Sequence, residues 1–97
     1  MAKKVIWSET AVKDRLDIYQ FWLHHNQSEI FSEKLEILFN EAAILLSRFP
    51  EAGTKTDLDT IRIKVIRTYK IFYINKPEQI EIVRIWDTRQ DPEELKI

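Results

Sequence analysis

The 97 residues carry 15 basic and 16 acidic side chains, a formal net charge of −1, and no cysteine. The near-balance makes general polyanion binding less obvious than in a strongly basic chain, and the lack of thiols rules out disulfides and thiolate ligands. Apolar residues at 44% and 11 aromatic side chains suffice for one core, so residues 1–97 read as a single domain.

The MAKK start runs straight into Val5-Ile6-Trp7 without an apolar signal-peptide core. No apolar run approaches the roughly 20 residues of a membrane span. With the missing cysteines, these features predict a cytoplasmic location and no membrane partner. One glycine and three prolines argue against a disordered or low-complexity segment.

Lys4-Val5-Ile6-Trp7 reads as a short first strand, and Ser8 as the N-cap of a helix with Glu9 in its first turn. Val12, Leu16, Tyr19 and Leu23 recur at helical spacing and predict a helix to about His24, its apolar face broadened by Phe21 and Trp22. Asn26-Gln27-Ser28 breaks the pattern, with Ser28 capping a second helix. There Phe31, Leu35, Leu38, Ala42, Leu45 and Phe49 form the predicted buried stripe, opposite Glu29, Glu33, Glu36 and Asn40. Pro50 ends it, and the short connection predicts an antiparallel hairpin. Gly53, in the turn that follows, is expected to supply a positive φ.

Three strands are expected at 61–67, 69–75 and 80–86, with Asn75-Lys76-Pro77-Glu78 as a turn. Asp91-Pro92-Glu93-Glu94 has the pattern of a short terminal helix. The order is βααβββ, an α+β fold in which the helical hairpin packs on an antiparallel meander.

Residues 60–76 hold Arg62, Lys64, Arg67, Lys70 and Lys76 and no carboxylate. Without them the chain has 10 basic against 16 acidic side chains. Arg62 and Lys64, two apart, face the same side of a strand, with Ile61, Ile63 and Val65 on the other. Together with Arg84 and Arg89 they are expected to converge on one rim beside apolar grooves. No glycine-rich phosphate loop, zinc spacing or nucleophile triad is present, so neither cofactor nor metal is expected. His24 and His25 read as solvated or helix-capping residues, and Trp7, Trp22 and Trp86 as packing residues.

The chain resembles the RelE/ParE superfamily of small bacterial toxins over nearly its full length. The marks are Val5-Ile6-Trp7-Ser8, Phe49-Pro50-x-x-Gly53, Tyr69-x-Ile71-x-Tyr73 and Ile82-x-Arg84-Ile85-x-x-x-Arg89-x-Asp91-Pro92. The resemblance implies a growth-inhibiting toxin of a plasmid-stabilisation or addiction module, neutralised by a cognate antitoxin that wraps it in helical and extended form. A RelE-like member would be a ribosome-dependent mRNA endoribonuclease, with Arg62, Lys64, Lys70 and Arg89 as its catalytic cations. A ParE-like member would act on DNA gyrase by protein contact. In that reading Arg62, Lys64, Arg67, Arg84, Arg89 and Trp86 meet the target or the antitoxin.

The ending RQDPEELKI lacks the tyrosine or histidine that the RelE-like branch carries near its carboxyl end, which favours the ParE-like reading. Asp87 is a departure from the ParE-like pattern, which often has histidine at that position. A binding module without toxicity is the third reading, and a homodimer or toxin–antitoxin hetero-oligomer the expected range of assemblies.

Overall fold

The structure, a computed structural model, describes residues 2–58 and 60–89. The predicted helix from Asp91 lies outside the described residues. The elements are β1 (Lys4–Trp7), α1 (Glu9–Asn26), α2 (Ile30–Arg48), β2 (Thr54–Lys55), β3 (Ile61–Ile66), β4 (Tyr69–Asn75) and β5 (Gln79–Asp87). The expected α+β class and the antiparallel β3–β4–β5 meander are both present. The sheet is larger than the meander. Its order is β1-β5-β4-β3-β2, with β1 parallel to β5 on one edge and the two-residue β2 antiparallel to β3 on the other, so it is mixed.

Ser8 does more than start α1. Its Oγ accepts from the Ala11 amide at 3.0 Å and donates to the Val83 carbonyl at 2.9 Å, while its own amide donates to Ile82. The helix N-terminus is thereby tied to the middle of β5. Helix α1 runs two residues past the predicted end and stops at Gln27, in the left-handed region with φ 51°. Ser28 Oγ accepts from the Ile30 amide at 3.3 Å, although the cap position itself falls on Glu29, which makes no side-chain cap bond.

Both helices bury a face rotated from the predicted one. In α2 the buried apolar residues are Leu35, Phe39, Ala42, Ala43 and Leu46, whereas Leu45 and Phe49 are exposed. In α1 Ala11 is buried and Ile18 and Trp22 are packed against the core, while Val12 and Leu16 are each 54% exposed. The sheet decides this. Ala42 and Ala43 let α2 approach closely, and Phe39 meets Tyr69 edge-on at 5.6 Å. The core against the helices comprises Tyr69, Ile71, Tyr73, Ile80, Ile82 and Ile85. A smaller cluster of Ile61, Phe72 and Trp86, flanked by Ile63, Ile74 and Val83, forms on the sheet's other side. A register shift beside Phe72/Tyr73 leaves Val83 without a partner on β4, a bulge that locally disrupts the ladder.

Gly53 does not have a positive φ. Its role is space: a Cβ there would sit 2.5 Å from the Tyr73 hydroxyl and 2.8 Å from the Ile63 carbonyl. The buried Tyr73 hydroxyl accepts from the Gly53 amide at 2.9 Å and donates to the Pro50 carbonyl at 2.8 Å. Burial pushes its pKa up, so the hydroxyl keeps its proton for that bond. The left-handed position falls instead on Arg67, φ 54°, in the two-residue β3–β4 hairpin.

Candidate functional site

An open cleft of about 550 Å³ lies between α1 and β5. Ile18, Phe21, Ile85 and Trp86 give it apolar walls, and Asp14, Asp17, Tyr69, Arg84, Asp87 and Arg89 its polar groups. Phe21, predicted to widen the packed face of α1, is 53% exposed at this rim. Its ring meets Trp22 edge-on at 5.0 Å and stacks on His25 at 5.7 Å.

The arginines of the cleft are held in ion pairs. Arg84 Nε donates to Asp14 Oδ2 at 3.2 Å, and the same oxygen accepts from the Ile85 amide at 3.0 Å. Arg89 grips Asp87 through Nε and Nη2, the shortest contact being 2.6 Å. This grip holds the Asp87 carboxyl below the usual carboxylate range. The Arg89 guanidinium also lies 5.1 Å from the Trp22 ring centroid, and the Arg84 guanidinium 5.3 Å from that of Trp86. Tyr69 closes the floor: its hydroxyl accepts from Trp22 Nε1 at 2.7 Å, and burial raises its pKa.

The other predicted cations lie elsewhere. Arg62 and Lys64 do share one face of β3, as their spacing required. It is the helix-side face, since they pair with Tyr73 and Ile71 of the main core. Arg62 Nη1 donates to the carbonyls of Gly53 at 2.9 Å and Glu51 at 3.4 Å, which ties it to the turn after α2. Lys70, opposite Val65 and Trp86, belongs to the reverse face of the sheet. Arg67 stands at the hairpin tip, next to Thr68, whose carbonyl accepts from the Thr88 amide. The single cationic rim is therefore not formed. Arg84, Arg89 and Trp86 line the cleft; Lys70, the cross-strand partner of Trp86, stands next to that wall on the reverse face without lining it, while Arg62 and Lys64 lie on the helix side.

A second furrow runs over the hairpin, lined by Val12, Arg15, Leu16, Tyr19 and Glu36. Arg15 bridges the two helices through Glu36 at 2.6 Å and Asn40 at 3.2 Å, and stacks 4.4 Å from the Trp7 centroid. A third lies beside Lys3, Arg48, Phe49, Pro50 and Asn75, with Phe49 60% exposed.

Residues 5–92, which span this strand, hairpin and meander, match the family model described as ParE toxin of type II toxin–antitoxin system, parDE. The chain belongs to the ParE toxin family. It is the toxin component of a type II toxin–antitoxin system. Among solved structures it is similar to a chain of the chromosomal ParDE toxin–antitoxin system from P. aeruginosa. That likeness has a TM-score of 0.74 at 18% identity, over 87% of this chain and 94% of the other. No individually curated protein matches at a significant level.

For this ParE-family chain, sequence reasoning singled out Asp87 but missed Asp14 and Asp17 of the cleft. Asp14 carries the signal: it falls in phase with Ala11, Ile18 and Trp22, a carboxylate on the face that packs toward the sheet. Such a group needs a partner, and Arg84 is that partner. His24 and His25 are exposed in the last turn of α1. No helix among the described residues is long and apolar enough to cross a membrane.

Proposed function

We propose that this ParE-family toxin stops growth by binding its target, DNA gyrase, through protein contacts, and that an antitoxin segment neutralises it from the α1–β5 cleft. The observation that carries the reading is the dispersal of the cations. A phosphate-cleaving centre needs several positive donors aimed at one point where charge develops. Arg62 is committed to the Gly53 turn, Lys70 lies on the opposite sheet face, and Arg89 is neutralised by Asp87. A binding surface asks less: apolar walls, an aromatic anchor and paired charges at the rim, which the cleft supplies through Phe21, Trp86, Arg84 and Arg89. Arg67 and Lys64 would then serve as outlying target contacts, with Arg62 holding the turn beside them. The place of action is the cytoplasm, where gyrase works on DNA.

The test is induced expression in a bacterium. DNA double-strand breaks and an SOS response are expected. Codon-phased cuts in translated mRNA, read by primer extension, would overturn the reading in favour of a ribosome-dependent nuclease. Unchanged growth with soluble protein would point to a binding module without toxicity. For the antitoxin, Phe21→Asp is expected to weaken co-purification at least tenfold with circular dichroism unchanged. Undiminished capture would move the antitoxin out of the cleft.

A further inference from the structure

Helix α2 shows a second exposed face that neither the cleft nor the hairpin furrow uses. Ile30, Ile37 and Ile44, seven residues apart, are 65%, 56% and 57% exposed. At 3.6 residues per turn they form one nearly straight row about 21 Å long. Around them Glu33, Lys34, Asn40 and Glu41 are also exposed. Branched apolar side chains repeating every heptad on a polar helix face are the pattern of a helix that pairs with another helix.

The charges identify the occupant. At 100° per residue, Lys34 and Glu41 fall on one flank of Ile37. Glu33 and Asn40 fall on the other, the flank toward α1, where Arg15 reaches Glu36 and Asn40. The ion pairs among the described residues use neither Lys34 nor Glu41. We propose that this face binds a second copy of the same chain, with the two α2 helices antiparallel across a two-fold axis through Ile37. A two-fold axis between antiparallel helices keeps each flank beside its own copy and reverses the direction along the helix. Ile30 then meets Ile44 of the other copy, and Ile37 meets itself. Lys34 lies beside Glu41 of the other copy, and the same contact occurs twice by symmetry. On the other flank Glu33 lies beside Asn40, an amide that can donate to it. No like charges are brought level on the same flank, which is the self-complementarity an isologous interface requires.

A single helix row is much smaller than the roughly 800 Å² per partner of standard interfaces, so the association is weak and concentration-dependent. It leaves the α1–β5 cleft uncovered, and it stands or falls independently of the gyrase reading.

Sedimentation of the full chain, purified free of antitoxin, over a concentration series to about 1 mM tests it. A reversible monomer–dimer equilibrium is expected. Ile37→Asp should abolish the dimer, and Lys34→Glu should weaken it about tenfold. The double variant Lys34→Glu/Glu41→Lys should restore it, because both reciprocal pairs are re-formed with reversed sign. A monomer at every concentration overturns the proposal. So does a dimer insensitive to Ile37→Asp or not rescued by the double exchange. An antitoxin complex lost on Ile37→Asp, in a chain that is otherwise monomeric, would assign the row to the antitoxin instead.

Discussion

At Gly53 the backbone passes so close to Tyr73 that a single methyl group has no room. Gly53→Ala must displace the tyrosine, and with it the hydroxyl that joins Gly53 to Pro50. A loss of about 2–3 kcal/mol in urea unfolding is expected, similar to Tyr73→Phe, which leaves the Gly53 amide unpaired. Asp87 acts through charge. Its folded pKa lies below the unfolded value because Arg89 bonds the ionised form. Its contribution is therefore complete above the unfolded value near 3.8 and is lost as pH falls through the folded value. Arg89 is half exposed, so solvent screening reduces the pair to about 0.5–1 kcal/mol. Asp87→Asn should be less stable than the wild type at pH 7, and the two should converge as pH drops below about 4 in thermal unfolding.

At the scale of elements, the helices hold two apolar rows each, and only one is structural. Leu46 is fully buried and Leu16 is 54% exposed, yet both lie in strongly periodic helical patterns. Leu46→Ala is expected to cost about 2–5 kcal/mol. Leu16→Asp should change stability by no more than about 0.5 kcal/mol, because its side chain lines the open hairpin furrow rather than the core. Chemical denaturation of the two variants separates the rows. Periodicity located both helices and their ends within two residues, and it named Leu35 and Ala42 correctly as buried. It could not choose between rows, because a helix with apolar residues around more than half its girth has no unique inward face. The extra apolar face, read from helical spacing as packing, is the raw material of the binding surfaces.

For the molecule as a whole, the position of each cation relative to the sheet decides what the toxin can do. Lys70 lies on the face away from the helices, opposite Val65 and Trp86. Under the contact mechanism Lys70→Ala leaves growth inhibition intact in a plate assay. Abolition of toxicity in a folded Lys70→Ala chain would return that residue to a catalytic role. Arg62→Ala, by contrast, should reduce toxicity together with thermal stability, because its guanidinium holds the turn after α2.

The order of the two helices and of every strand but the two-residue β2 was legible in the sequence alone, through the N-cap at Ser8, the stop at Pro50 and the alternating and apolar runs in residues 61–86. These are local preferences, set by backbone sterics and by the spacing of side chains along one element. The shared face of Arg62 and Lys64 followed from the same strand geometry. Tertiary structure alone decided the parallel seat of β1 beside β5, the pairing of Asp14 with Arg84, and the separation of Lys70 from Arg62. These depend on contacts between residues up to 75 positions apart, such as Ser8 with Val83. Their free energies are fixed only when the helices settle on one face of the twisted sheet, because spacing within an element carries no information about which other element it will meet.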